Sequence, residues 1–346
     1  MHELRQDPLS DEWVIMSDDR GKRPEDFKTT RPTEPKMKFL PTCPFCPGNE
    51  ELTPSELYAL WDQRQNHWEM RVVPDRFPVL ARDGATEPQV HGRHRRVKGV
   101  GRHDVIVETP DHSLSLHAFP EAQLAELLRI YKACFGIMTS DPNIAHVIIF
   151  RNHGALAGGS LEHPHSQIIG SPVIQSQIQS CLAEAMHHYT EFNECIWCAS
   201  VAQELCDNRR IVAQSHHFVS LEPFASPSPF VTHIYPRRHM ASFADINKEE
   251  IEDLSQLLKS VMTKLYIGLN DPDYNYSILS APKGHDAVPY FHWHISIVPR
   301  LNPPTGLELG SGIRMNPLSP ETAAEFLQRI NAGNTVKEKE TTSCST

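Results

Sequence analysis

The residues best suited to chemistry in this sequence lie in one segment, residues 152–167 (NHGALAGGSLEHPHSQ). His163 and His165 are two positions apart, so on a strand both side chains would point to the same side of the sheet. One could then bind a metal while the other meets a substrate. A neutral imidazole at His165 could attack the α-phosphate of a nucleotide and form a covalent nucleotidyl-histidine. The alternative from the residues alone is a metal site with two histidine ligands and no nucleophile.

Glycines and short polar side chains surround this candidate nucleophile. Gly158 and Gly159 would let main-chain N–H groups approach phosphate oxygens, and Ser160 and Gln167 can donate hydrogen bonds to the negative charge that develops there. The sequence therefore predicts a phosphate-binding loop next to the histidines. The basic run at residues 19–24 (DRGKRP) would also suit phosphate, but a surface turn explains it equally well.

Two C-x-x-C pairs indicate metal binding. In a cytosolic chain such pairs favour a metal over disulfides, and structural zinc takes four nitrogen or sulfur ligands in a tetrahedron. A histidine at a proline turn and an H-x-H motif follow each pair. The first predicted ligand set is Cys43, Cys46, His112 and His163, and the second is Cys195, Cys198, His239 and His292. We expect about two zinc ions per chain; ordinary buried thiols and capping histidines are the alternative.

The same order of elements occurs twice, and this repetition predicts the architecture. Apolar residues with helical spacing run through residues 124–138 and again through 251–265. Each predicted helix ends at an Asp-Pro turn, and a strand (145–150 or 274–279) and an H-x-H motif follow. The sequence thus predicts an α+β fold of two related halves in which strands dominate and each half has one long helix.

Composition excludes several classes of function. The chain has 33 Lys and Arg against 43 Asp and Glu, a net charge of −10, which argues against a general nucleic-acid binder. No apolar run approaches the roughly 20 residues that a membrane-spanning helix needs. Because the N-terminus has no apolar signal segment, we expect a cytoplasmic protein. The halves are predicted at 1–172 and 173–331, followed by a disordered polar tail at 332–346.

The segment 163–167 (HPHSQ) resembles the H-P-H-x-Q signature of the galactose-1-phosphate uridylyltransferase family, the transferase branch of the histidine-triad superfamily. The similarity covers nearly the whole chain, and the other matching segments are residues 5–14, 20–24, 43–46, 71–78, 110–113, 292–294 and 318–324. The resemblance implies two pseudo-symmetric histidine-triad-like halves. Each would be an antiparallel half-barrel sheet with a long helix on its face.

The resemblance also implies roles for individual residues. It makes His165 the nucleophile that carries a nucleoside monophosphate between two sugar phosphates, and His163 a zinc ligand with Cys43, Cys46 and His112. Positions that contact the nucleotide phosphates match Asn152, Ser160 and Gln167. The family's phosphate-binding arginines match Arg20 and Arg23, and Asp75 falls where the family contacts the ribose or base. Active members are often homodimers, so we expect a homodimer by analogy.

The favoured function is ping-pong transfer of UMP from UDP-glucose to a hexose 1-phosphate such as galactose 1-phosphate. One alternative is an ADP-glucose phosphorylase, in which orthophosphate accepts the nucleotide. The Cys195/Cys198 pair resembles that shorter, plant-type branch of the family. The long-studied uridylyltransferases instead hold their second metal with Glu and three His. Another is a nucleotide hydrolase or sensor. Gln167 argues against hydrolysis, since an amide cannot relay a proton to water as histidine does. A zinc-stabilised scaffold without activity would leave the glycine loop unexplained.

Overall fold

The computed structural model describes residues 2–17, 22–30, 36–62, 64, 66–84 and 87–332, and confirms the predicted α+β fold. The strands of the described residues are β1 (His2–Gln6), β2 (Trp13–Ser17), β3 (Tyr58–Asp62), β4 (His67–Pro74), β5 (Gln89–His91), β6 (His94–Arg96), β7 (Arg102–Val107), β8 (His146–His153), β9 (His165–Ser171), β10 (Ile211–Gln214), β11 (Phe218–Leu221), β12 (Thr232–Pro236), β13 (Tyr274–Leu279), β14 (His294–Pro299) and β15 (Arg314–Asn316). The α-helices are α1 (Glu121–Thr139), α2 (Ser176–Phe192), α3 (Ile196–Asp207), α4 (Lys248–Leu269), α5 (Gly306–Ser311) and α6 (Pro320–Arg329).

Ten of the strands form one antiparallel sheet in the order β10-β11-β12-β14-β13-β8-β9-β7-β4-β3. Each half contributes five strands to this sheet. When the five are numbered along the chain, both halves place them in the order first, second, third, fifth, fourth from the outer edge to the centre. The two fourth strands, β8 and β13, pair at the centre, where Asn152 lies opposite Asn275. The predicted pseudo-symmetry is therefore present, and the two half sheets are continuous through this central pair.

The two predicted long helices pack together on one face of this sheet. Helices α1 and α4 contact each other and share a single apolar core with the central strands. The N-terminus of α4 is closed by a capping box, in which the Asn247 side chain accepts from the Glu250 N–H and the Glu250 carboxylate accepts from the Asn247 N–H. Its C-terminus ends at Asn270 in the left-handed region, directly before the Asp-Pro turn.

Helix α3 and a small second sheet are among the features of the fold that were not predicted. Helix α3 begins directly after Cys195, which is its N-cap residue. A three-stranded sheet, β1-β2-β15, joins the start of the chain to its C-terminal region, with β15 parallel to β2. Among the described helices, none is long and apolar enough to cross a membrane. The bounds of the two halves stay predictions, and the tail beyond residue 332 lies outside the described residues.

Candidate active site

His165 is the first residue of β9 and is only 6% exposed. Its Nδ1–H donates to the main-chain carbonyl oxygen of His163 at 2.8 Å, so Nε2 is the ring nitrogen that carries the lone pair. Burial, with a smaller contribution from the nearby Arg151 guanidinium, lowers the pKa of His165 to about 4. The imidazole is therefore neutral near pH 7, as a nucleophile must be.

The strand register places both candidate amides on the same face of the sheet as this imidazole. Gln167 lies directly opposite Phe150 on β8. Because alternate residues of a strand share a face, His165 and Asn152 also project from that face. Ser166 projects from the other face, where its hydroxyl lies 2.7 Å from that of Tyr131 on α1.

Gln167 is held by His103, a contact that sequence reasoning missed. The Val79 N–H donates to Nδ1 of His103 at 3.3 Å, so Nε2 of that ring carries the proton. This Nε2–H donates to Oε1 of Gln167 at 2.8 Å. The Gln167 amide therefore keeps its two N–H donors for another partner. Asp75, predicted to contact a ribose or base, lies beside this pair, with Oδ2 3.5 Å from Nε2 of His103.

The predicted phosphate loop connects β8 to β9 and depends on glycine at several positions. Gly154 and Gly158 have φ angles of +84° and +80°, in the left-handed region that favours glycine. A Cβ on Gly154 would lie 2.0 Å from Oδ1 of Asp273, and a Cβ on Gly159 would lie 2.9 Å from the Gly154 carbonyl oxygen. Ser160 directly follows Gly159 in the loop and is exposed. Substitution would thus displace this backbone from its tight path.

The first predicted ligand set forms one buried cluster, in which one ligand atom from each residue lies within 4.8 Å of all the others. The Nδ1 atom of His163 lies 3.7 Å from Sγ of Cys43 and 3.6 Å from Sγ of Cys46, and Nδ1 of His112 lies 3.5 Å from Sγ of Cys46. His163 donates from Nε2 to the carbonyl oxygen of Thr109 at 2.7 Å, which leaves Nδ1 as the ligand atom. Two thiols and two imidazoles, one of them oriented by a main-chain carbonyl oxygen, fit a tetrahedral zinc ion.

The second predicted set repeats this arrangement, and its four ligand atoms also lie within 4.8 Å of one another. Sγ of Cys198 lies 3.5 Å from Nδ1 of His239 and 3.4 Å from Nδ1 of His292. His292 donates from Nε2 to the Pro236 carbonyl oxygen at 3.1 Å, as His163 does to Thr109. This cluster is nearer the surface, because His239 is exposed.

The first cluster also contacts the candidate nucleophile. Phe45 lies between the two cysteines of the first C-x-x-C pair, and its ring centroid is 5.3 Å from that of His165 and 6.0 Å from that of His163. The turn that supplies two metal ligands therefore packs an aromatic ring against the imidazole. The C-x-x-C spacing alone gave no signal of this contact.

A buried polar network supports β9 from the other face of the sheet. Arg151 forms an ion pair with Glu108, and both side chains are at most 3% exposed. The hydroxyl of Tyr131 donates to Glu108 Oε1 at 3.3 Å and contacts Ser166. The pairing satisfies two charges that would otherwise be costly to bury. Neither Arg151 nor Glu108 was singled out from the sequence, because nothing local marks a charged residue as buried.

The basic run near the N-terminus is only partly described. Arg23 is exposed and precedes a short 3₁₀ helix, with its main-chain N–H donating to Oδ2 of Asp26 at 2.8 Å. The neighbouring Lys22 donates to Asn302, just beyond β14, at 3.2 Å. This contact places Lys22 beside the second half of the chain, and a phosphate-binding role for Arg23 stays a prediction. Arg20 lies outside the described residues.

Comparison with known proteins identifies the family. Residues 1–174 match a family model described as the N-terminal domain of galactose-1-phosphate uridyl transferase. This chain belongs to the galactose-1-phosphate uridylyltransferase family. A second family model, described as a domain of unknown function (DUF4921), matches residues 122–339. The resemblance predicted from the H-P-H-x-Q segment is confirmed.

Two relatives align over almost their full lengths. ADP-glucose phosphorylase of Arabidopsis thaliana is 35% identical, over 95% of this chain and 93% of its own. Galactose-1-phosphate uridylyltransferase of Thermotoga maritima is 30% identical, over 95% of this chain and 98% of its own. The predicted membership of a family with a plant-type branch is therefore confirmed.

Solved structures share the fold. The crystal structure of the Arabidopsis thaliana ADP-glucose phosphorylase with bound ADP-glucose has a TM-score of 0.81 at 33% identity and covers 96% of this chain and 100% of that chain. A uridylyltransferase structure has a TM-score of 0.73 at 27% identity and covers 95% of this chain and 97% of that chain. The fold of at least 95% of the chain is thus similar to that of both kinds of relative.

Proposed function

We propose that this protein is a nucleotidyltransferase that moves a nucleoside monophosphate from a nucleotide sugar to a phosphate-bearing acceptor through a covalent intermediate on His165. The observation that carries the proposal is the orientation of that imidazole. Its Nδ1–H is engaged by the His163 carbonyl oxygen, so Nε2 is the atom available for attack. The amides of Asn152 and Gln167 project from the same face of the sheet.

The proposed reaction has two balanced steps. In the first, Nε2 of His165 attacks the α-phosphorus and an N–P bond forms. The bond from that phosphorus to its bridging oxygen breaks, and the sugar 1-phosphate leaves with the electron pair. The cationic imidazole of the adduct keeps its Nδ1–H on the His163 carbonyl oxygen. In the second step an acceptor phosphate oxygen attacks the phosphorus, the N–P bond breaks and the neutral imidazole is restored.

We further propose zinc at both Cys/His clusters, two ions per chain. The first ion would be held by Cys43, Cys46, His112 and His163, and the second by Cys195, Cys198, His239 and His292. Zinc bound there would supply folding energy. The chain's own residues then carry the reaction: the turn of the first cluster places Phe45 against His165. The expected homodimer and cytoplasmic location stay predictions.

Two substrate pairs are candidates within this reaction. The first is UDP-glucose with a hexose 1-phosphate, which the name of the Thermotoga maritima relative supports. The second is ADP-glucose with orthophosphate. It is favoured by the higher identity to the Arabidopsis thaliana ADP-glucose phosphorylase, 35% against 30%. Hydrolysis is disfavoured because Gln167, held by His103, offers N–H donors and no proton relay.

The test is to incubate the protein with UDP-glucose and, separately, with ADP-glucose, each labelled at the α-phosphate. The proposal expects acid-labile label on the wild-type protein from one of them and none on a His165→Ala variant. Galactose 1-phosphate or orthophosphate should then discharge the label, and the more effective acceptor identifies the substrate pair. Labelling that persists in His165→Ala, or release of nucleoside monophosphate without any adduct, would overturn it.

A further inference from the structure

Asn275 belongs to the second half of the chain but contacts the active site of the first. Its Nδ2 donates to Oδ1 of Asn152 at 2.8 Å and to the carbonyl oxygen of Ala157 in the glycine loop at 2.9 Å. The guanidinium of Arg300, just after β14, donates from Nε to Oδ1 of Asn275. The central strand pair therefore joins the two halves through side chains as well as through backbone.

These contacts determine which end of each amide faces which partner. Arg300 can only donate hydrogen bonds, so the atom of Asn275 that it meets must be the carbonyl oxygen. The nitrogen of Asn275 then faces Asn152, whose oxygen must accept. The Nδ2 group of Asn152 is left without a hydrogen-bond partner among the described residues, 4.0 Å from where a Cβ on Gly158 would lie. Arg300 thus fixes, through Asn275, a hydrogen-bond donor directed along the glycine loop.

Two aspartates that precede Asn275 at alternate positions hold the same loop. Oδ2 of Asp273 accepts from the Leu156 N–H at 2.6 Å. Oδ1 of Asp271 accepts from Nε2 of His153 at 2.9 Å. The Asp-Pro turn and the start of β13 therefore contact the end of β8 and the loop that follows it, and the geometry of the first half's loop depends on the second half.

We propose that Asn275, anchored by Arg300, is a positioning residue for nucleotidyl transfer. It turns the Asn152 amide so that Nδ2 donates to a non-bridging oxygen of the α-phosphate as charge develops there. This inference rests on the proposed function, because it needs a nucleotide at His165. It adds that a residue of the second half of the chain, Asn275, orients a hydrogen-bond donor in the first half, the Nδ2 group of Asn152.

The decisive variant is Asn275→Asp, whose carboxylate cannot donate to Asn152 or to Ala157. Asn152 would then turn its nitrogen toward the introduced carboxylate and its oxygen toward the phosphate. We expect the single-turnover rate of adduct formation to fall about 100-fold, as for loss of one preorganised donor, with a smaller change in nucleotide affinity. Ser277→Ala, two residues further along the same face of β13, is the matched control and should react like the wild type.

A double-mutant cycle separates positioning from a general structural role. If Asn275 acts through Asn152, Asn275→Asp should cost less than about threefold in an Asn152→Ala background, because the donor is already absent. Independent, multiplying losses would overturn the inference, as would a normal rate in Asn275→Asp. If Asn275→Asp fails to fold, as judged by thermal unfolding and metal content, Asn275→Ala, which also cannot donate, takes its place in the cycle. If the wild-type protein is labelled normally but the cycle shows no coupling, only this inference is overturned. If the wild-type protein takes up no label, the proposed function is overturned as well.

Discussion

Nε2 of His103 lies 2.8 Å from Oε1 of Gln167, and this contact occupies the acceptor end of the Gln167 amide and leaves its two N–H donors for another partner. Asn152 is oriented by the same principle, since Asn275 donates to its oxygen at 2.8 Å. Each of these two amides thus has its acceptor end occupied by a donor from another strand. An amide held in this way presents N–H groups to developing negative charge without reorganising during the reaction.

We predict that Gln167→His slows nucleotidyl transfer roughly 10²–10³-fold and makes hydrolysis a larger share of turnover. The variant loses the amide donor, and a histidine there can act as acid and base toward water. The measurement is the ratio of exchanged sugar phosphate to free nucleoside monophosphate. A near-normal rate with an unchanged ratio would mean that Gln167 does not meet the phosphate.

Substitution of the two histidines in the H-P-H segment should have different effects on metal content and stability. His165→Ala is expected to abolish transfer and keep the fold and the metal, because His165 is not one of the four residues that form the first Cys/His cluster. His163→Ala should lose metal and thermal stability as well as activity, because its Nδ1 lies within 3.7 Å of two thiols. Elemental analysis, thermal unfolding and the exchange assay on both variants check this. Appreciable exchange by His165→Ala would favour direct transfer over a covalent route.

Much of this site could be predicted from sequence because its signals are local. The two-residue spacing of His163 and His165, and the C-x-x-C pairs, are visible without knowing the fold. Repetition of the same order then linked distant ligands, and both predicted clusters form in the structure. The long helices α1 and α4 were predicted for the same reason, since helical periodicity is a short-range pattern.

The residues that orient the site could not be predicted, because they act across strand pairs. His103 reaches Gln167 from β7, and Asn275 reaches Asn152 from the other half, so each pairing depends on register. Register is set by the packing of the whole sheet and by its turns. Helix α3 was missed because the Cys195 pair was interpreted only as a ligand turn, although Cys195 is also the N-cap residue of this helix.

Purified protein should contain about two zinc equivalents, and a chelator should remove them in two phases. The second cluster should empty first, because His239 is exposed while all four residues of the first cluster are buried. We expect Cys195→Ser to lower the content to about one equivalent, and Cys43→Ser to cost more thermal stability. A single equivalent that Cys195→Ser leaves unchanged would remove the second site from the proposal.

His117 should contribute to loss of stability in mild acid. Burial lowers its pKa from 6.5 to about 4, with Asp271 opposing the shift and His153 and Lys36 adding to it. Between these two pH values the unfolded chain binds a proton that the folded chain does not, so stability falls as the pH falls from about 7 to about 4. The ring of His117 stacks on that of Tyr266, with 3.5 Å between the ring centroids. His117→Phe removes the titrating group and keeps an aromatic ring at this position.

The measurement for His117 is the midpoint of thermal unfolding at several pH values for both proteins. Other histidines titrate in both, so only the difference between the two curves is informative. We expect the midpoint of the variant to fall less between pH 7 and pH 4.5. Parallel curves would show that this side chain does not titrate differently in the folded protein.

Phe45 should affect the rate of adduct formation without being part of the reaction. Its ring packs against His165 from the turn of the first metal cluster, at a centroid distance of 5.3 Å. Aromatic pairs contribute about 0.5–1.5 kcal/mol beyond the area they bury, and 1.4 kcal/mol corresponds to about tenfold in rate. Phe45→Leu keeps an apolar side chain but loses the ring contact, so we expect a rate about 2- to 12-fold slower with zinc content unchanged. Phe45→Tyr should retain most of the rate. Equal rates for Phe45→Leu and the wild type would show that the cysteine turn holds the metal without orienting the nucleophile.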